Sequence, residues 1–486
     1  MTRDRHSQSG QTLILVIFIT AIAALLVLAS LSWAQSSIFQ TANSNRQDIA
    51  LEAAQAGVQV YVSRLVENPQ YWLDDVDTAE DPRTNTSTGA TVAPGNAWPV
   101  GAAWTYPSKI TTWHALQDAA YGQANYNIRV FLDPSDQNSV FVQSTAEVGT
   151  NPPVVRSVEA LISPESIANY QMISNASIAY GSTATTTGKI YSAQDVVHQG
   201  TALGTIYAEH EVCRNDSSGA TCLKSDATDP AFSVGGAYDS TTAPSFSDKF
   251  PTPIDFTTFT GDIGTIEAAA KATGVYENNS AVNAWEIQFL SSGQVRIFAV
   301  TKTADPGVSI GALGCPTTVT MPSGNTPFYM YFQQPVIVGD DQNISDACHT
   351  TSGERDSVVD GQVTVASQSN LYIGGDISYA SGTSSVLGLI ASDNLIISQY
   401  APQTLTWRAA TLAQSGEWMT DTSSTTHSSM TFTGSIATDQ GGYASMFGTR
   451  TYNYDPVLQT LRPPLFPTIE NSWAIQYWHE VTPPST

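Results

Sequence analysis

Basic residues are scarce in this chain: Lys and Arg together number 19 among 486 residues, against 43 Asp and Glu, for a formal net charge of -24 at pH 7. A face that binds nucleic acid needs clustered cations against phosphate, and so does a body lying on an anionic membrane. The composition therefore argues against both partners. Charge of either sign is thin, at 13% of residues, so the acidity comes from missing Lys and Arg and suits an exported, solvated surface. Cysteine is rarer still, at four. No Gly-rich phosphate loop follows a strand and opens a helix, and no Asp-Asp or Arg motif recurs on the strand repeats. No catalytic residue, metal ligand or cofactor site is assigned, and the chain is read as a non-enzyme.

The longest absence is a gap in charge. Between Gln11 and Ala34 no residue is ionisable, and Leu13 to Trp33 is almost wholly apolar. At 1.5 Å per residue such a helix reaches across a bilayer. Arg3 and Arg5 before it imply a cytoplasmic N-terminus with the body exported: a single pass through the inner membrane. Neither Pro nor Gly occurs from Gln11 to Ala56. Ile38, Ala42, Ile49, Ala53, Ala56, Val60 and Tyr61 extend an apolar stripe at helical spacing, with Arg46, Asp48, Glu52 and Arg64 off it. One helix over 11–66 is expected. A cleaved signal ending near Ala34 and an ordinary signal anchor are the alternatives.

The leader ending in Gly10, the apolar helix after it and the segment Leu51-Glu52-Ala53-Ala54-Gln55-Ala56-Gly57 resemble the N-terminus of PilX-like minor pilins. These are assembly proteins of type IV pili and related secretion pseudopili. The resemblance implies cleavage by a prepilin peptidase after Gly10 and methylation of the new N-terminus at Gln11. Its partners would be other pilins, the pilus assembly machinery, the prepilin peptidase and the inner membrane, with the pilus or cell surface as destination. Most major pilins begin with Phe and carry Glu as the fifth mature residue. Gln11 and Leu15 stand there in this chain, which implies a tip or initiation role in place of a repeating shaft role. Gly-Gln-Thr-Leu also resembles Tad-type pilus proteins.

Asn68-Pro69 ends the helical periodicity, and residues 71–110 read as loop. Strands are expected at Tyr126–Leu132, Val140–Val148 and Val154–Ile162, a small antiparallel sheet packed on the helix. Asp133, Asp136 and Asn138 at the first turn suit either a hairpin or a calcium loop. From Ser174 a repeat begins. Gly188-Lys189-Ile190-Tyr191-Ser192 recurs sixteen residues on as Gly204-Thr205-Ile206-Tyr207-Ala208, and Gly375-Asp376-Ile377, Gly388-Leu389-Ile390 and Gly434-Ser435-Ile436 are related. Such short units bury their apolar sides only by stacking, which predicts a parallel β-helix in two pieces; a β-sandwich with Gly-rich turns is the competitor. Between the pieces, Asp262–Ala272 reads as a helix, and Trp285, Ile287, Phe289 and Val295, Ile297, Ala299 as a hairpin.

The fold class expected is mainly β with a long N-terminal helix. The parts are a leader (1–10), the helix (11–66), a pilin-like β domain (67–165), a solenoid in two pieces (166–240 and 333–450), an α/β insertion (241–332) and a C-terminal cap (451–486). The segment from Tyr452 through Pro467 to Trp478 resembles the close of the solenoid domain in some large PilX-like proteins. Cys213 with Cys222 and Cys315 with Cys348 are the simplest of three disulfide pairings for an exported chain. Zinc at His210–Cys213 or Cys348–His349 is the alternative, although Cys213 and Cys222 are spaced too widely for it. Asp340, Asp341, Asp346, Glu354, Asp356 and Asp360 form a carboxylate-rich loop, and His198 and His210 lie near the repeats without a nucleophile at a telling spacing.

Overall fold

The structure is a computed structural model that describes residues 9–67, 71, 84–85, 104–105, 109–110, 113–116, 124–133, 136–149, 152–216, 219–224, 232–234, 254–256, 262–302, 310–312, 316–322, 326–339, 357–382, 384–421, 426–443 and 446–484. The chain divides into two compact units, Met1–Ser163 with Trp473–Thr486, and Pro164–Ser472.

In the first unit helix α1 spans Ser9–Glu67. Its C-terminal half carries Ala50, Ala53, Ala54, Val58, Tyr61 and Leu65 at intervals of one helical turn, all buried. They pack on Tyr126, Val130, Val140, Val142, Ala146, Val158, Ala160 and Ile162 of a sheet. That sheet has five strands in the order His114–Ala115, Ala124–Asp133, Asp136–Val148, Val154–Ser166 and Thr468–Val481. Val130 stands opposite Val142, and Val142 opposite Ala160, so every second side chain turns toward the helix. Close approach depends on Gly57, where a Cβ would overlap the Ser144 hydroxyl.

The fifth strand comes from the far end of the chain. Val154–Ser166 leads out of the first unit and Thr468–Val481 leads back, and the two are neighbours in one sheet. The Pro164–Ser472 unit is therefore inserted between adjacent strands. Part of the segment read as a C-terminal cap completes the N-terminal sheet instead.

The second unit is built on two large sheets. One runs Phe232–Val234, Ile206–Ala208, Ile190–Ser192, Met172–Ser174, His427–Thr438, Thr404–Ala413, Val386–Ala391, Gln362–Ser367, Phe328–Phe332, Val275–Glu277, with Phe447–Tyr454 also paired to His427–Thr438. All its pairings are parallel except that of Phe232–Val234. The other is a nine-stranded sheet whose path runs from Ile310–Ala312 through Gln294–Lys302, Ala284–Leu290 and Val336–Val338 to Gly442–Tyr443. It is antiparallel up to Ala284–Leu290 and parallel beyond. Ile190, Ile206, Val336, Val338, Leu371, Leu389, Leu395 and Trp407 belong to one continuous core. A second apolar layer lies on the far side of the larger sheet, where Ile263, Ile266 and Ala270 of helix α2 (Asp262–Thr273) join Tyr331, and Leu458, Phe466 and Ile469 join Ile390, Leu412 and Ala437.

These observations correct the expected fold class. The molecule is mostly β, but in place of a two-piece parallel solenoid it has several separate sheets, three of those in the second unit with antiparallel members. The α/β insertion is not a projecting subdomain. Val275–Glu277 is an end strand of the larger sheet and Ala284–Leu290 a central strand of the other. The reason is burial: Trp285, Ile287 and Phe289 share the core of Val336 and Val338, which a projecting hairpin would leave in water.

Candidate functional site

Helix α1 has two environments. Its C-terminal half is packed as described, whereas Phe18, Ile19, Ile22, Leu25, Leu26, Val27 and Trp33 are exposed, Trp33 by 78%. From Gln40 to Asp48 every residue is exposed. An apolar patch of this size on a helix marks a contact surface. Gly10 and Gln11, the expected processing pair, both lie within α1. Among the described residues no helix is long and apolar enough to cross a membrane. This overturns the single-pass inner-membrane placement expected from Leu13 to Trp33. The Ser30 hydroxyl turns back onto the Val27 carbonyl at 2.9 Å.

Cys213 is disulfide-bonded. Cys222 stands directly opposite it in the antiparallel pair formed by Glu211–Asp216 and Gly219–Lys224. Cys213 is thus not a thiolate available to zinc. His210 nearby is exposed. Cys315, Cys348 and His349 lie outside the described residues, as do Asp340, Asp341, Asp346, Glu354 and Asp356 of the carboxylate-rich loop. Asp133 and Asp136 face each other at the end of a hairpin, with side chains outside the described set, and the same holds for the side chain of Asn138. Among the described residues no three His, Cys, Asp or Glu side chains group as metal ligands do.

His198 is fully buried, with Nε2 3.1 Å from the Thr186 hydroxyl and its ring 4.8 Å from that of Tyr180. Burial lowers its pKa to about 4, so it is a neutral core side chain at neutral pH. The polar groups on the outer side of the larger sheet are likewise paired with one another. The Tyr191 hydroxyl donates to the Glu209 carboxylate and accepts from the Ile254 amide at 2.9 Å. Lys189 pairs with Glu165 at 3.3 Å and lies 5.4 Å from the Tyr170 ring centre. Burial raises the Tyr170 and Tyr191 phenols far above their ordinary value. None of these groups is placed as a nucleophile beside a base.

Sequence reasoning placed Tyr477 and Trp478 in a segment closing the solenoid; the structure sets them on Thr468–Val481 of the first unit, 48% and 49% exposed. The aromatic and β-branched residues Trp473, Ile475, Tyr477, Trp478 and Val481 were the available strand signal.

No protein-family model and no curated protein matches this chain. Among solved structures, the crystal structure of competence-associated pilin ComZ from Thermus thermophilus is similar at 12% identity and a TM-score of 0.28, over 90% of this chain and 98% of that one. It is a distant neighbour. A superposition at that level does not establish a shared fold.

Proposed function

We propose that the protein is a minor pilin-like subunit acting at the tip or initiation stage of a type IV pilus or related secretion pseudopilus. The observation that carries this reading is α1 itself. One helix of 59 residues has its C-terminal half seated on an antiparallel sheet and an exposed apolar stretch in its N-terminal half. An exposed apolar helix in a water-facing protein needs a partner of the same kind, and parallel helices of neighbouring subunits supply one. Because no residue from Gln11 to Asn45 is charged, the packing would be apolar, with Leu15 making no ionic contact to a neighbour. Cleavage after Gly10 would expose Gln11 as the N-terminus for methylation. The Pro164–Ser472 unit would then be presented for surface interaction, without catalysis.

The test is intact and peptide mass spectrometry of the protein recovered from sheared surface fractions. A chain beginning at N-methylated Gln11, absent when prepilin peptidase is deleted, supports the reading. A chain retaining residues 1–10 in those fractions overturns it.

A further inference from the structure

Thr468–Val481, fourteen residues long, is the terminal strand of its sheet. Long edge strands in monomeric proteins are guarded by Lys, Pro, bulges or a covering segment, because their outward N–H and C=O groups accept a further strand. From Ser472 to Val481 this edge carries no Lys, Pro or Gly. Among the described residues no strand lies on its outer side. Tyr477 and Trp478 are 48% and 49% exposed, and alternation sets them on opposite faces. The polar side chains here have neighbours within the sheet. Arg156 holds the Glu480 carboxylate through two hydrogen bonds, the second at 2.6 Å, and His479 Nε2 lies 3.9 Å from Glu159.

We propose that this edge is a docking surface for a second copy of the same chain, the two strands pairing antiparallel about a two-fold axis at Trp478. The residue order is self-complementary in that register and favours this occupant. Trp478 meets its symmetry mate on one face, and Tyr477 meets His479 of the other copy on the opposite face, where Tyr477 and His479 of one chain already stack with ring centres 6.2 Å apart. Gln476 meets Glu480, an amide against a carboxylate, and Ile475 meets Val481. No like charges stand directly opposite, and aromatic cross-strand pairs stabilise such a ladder. The symmetric closure uses up both edges and leaves neither strand open to further addition. This interface does not depend on the pilin reading.

The experiment uses the full chain in detergent with single cysteines added. Directly opposed residues of an antiparallel pair stand about 4.5–5.5 Å apart, within disulfide reach. Under mild oxidation the Trp478→Cys chain is expected to run mostly as a covalent dimer. Leu203→Cys, on a residue 54% exposed in the other unit, is expected to remain monomeric. Tyr477→Cys and His479→Cys chains should cross-link when mixed and not when alone. Trp478→Lys, which sets two cations face to face, should abolish the strand-dependent association seen by sedimentation. If Trp478→Cys gives no more dimer than Leu203→Cys, or the mixed pair gives no more than its single components, the proposal is overturned.

Discussion

Gln171 and Tyr452 are 281 residues apart in sequence, yet Gln171 Nε2 donates to the Tyr452 carbonyl at 2.7 Å. The same side chain accepts the amides of Thr187 and Gly188 at 2.8 and 2.6 Å through Oε1. Close by, the Tyr454 amide donates to the Thr187 hydroxyl at 2.8 Å. This buried clasp lies where the strands of the 170–210 region meet those of the 404–454 region, the junction at which Ile436 pairs with Met172. Gln171→Ala should cost about 1–3 kcal/mol, since it leaves the Tyr452 carbonyl and the Gly188 amide without their partner beside a buried side chain, while the amide of exposed Thr187 can turn to water. Chemical denaturation should show a lower midpoint. Gln171→Glu, which keeps the acceptor and loses the donor, should also destabilise.

Arg408 grips Asp455 through two parallel hydrogen bonds at 2.7 and 2.8 Å, with Asp455 only 1% exposed. Its guanidinium also lies 4.3 Å from the Tyr379 ring centre, and Asp455 in turn accepts the Val457 amide at 3.1 Å. Arg408→Ala is expected to destabilise by about 3–5 kcal/mol because it strands a buried carboxylate. Replacing both with apolar residues should cost less. A double-mutant cycle on thermal unfolding measures the difference.

Gly57 marks the contact of α1 with the sheet. Gly57→Ala should destabilise by about 1–3 kcal/mol, because the added methyl runs into Ser144. Ser144→Ala in the same chain should recover part of the loss. Equal losses in the single and double variants would show that the helix is not seated on this strand.

Acid should weaken the second unit through its buried histidines. His198 has a folded pKa lowered to about 4, and burial lowers that of His427 as well. Unfolded histidine titrates near 6.5. The unfolded state thus binds the proton first as pH falls. The stabilisation is complete above about 6.5 and is lost progressively between there and about 4. For His198 the loss is on the order of 3 kcal/mol. Melting temperature measured from pH 7.5 to 4 should fall more steeply for the natural chain than for His198→Gln.

Local pattern made several elements legible in the sequence. The sixteen-residue recurrence placed Ile190 against Ile206 and Tyr191 against Tyr207, as the parallel register has them. Alternating residues in 124–162 marked strands whose pairing needs only short turns. Other elements could not be read this way. Gly375-Asp376-Ile377 resembled the same repeat, yet Ile377–Tyr379 pairs with Ser357–Val359 in a sheet of its own. Trp285 to Phe289 read as a self-contained hairpin because alternation shows that one face is buried and not what buries it.

The sequence alone determined the acidic surface, the charge-free start of α1, the strand-forming segments and the register of neighbouring repeats. These are properties of composition and of residues a few turns apart. Only the tertiary structure decided that Met172–Ser174 pairs with His427–Thr438, and that Thr468–Val481 returns to complete the first sheet. Each of those pairings closes a loop of hundreds of residues, whose entropic cost grows only slowly with length. Many far partners are therefore nearly equal in that cost. The choice among them falls to packing: Gly388 lets Pro463 and Phe466 lie close against the larger sheet, and Trp473 joins the core beneath α1. Such complementarity exists only once the surfaces have formed.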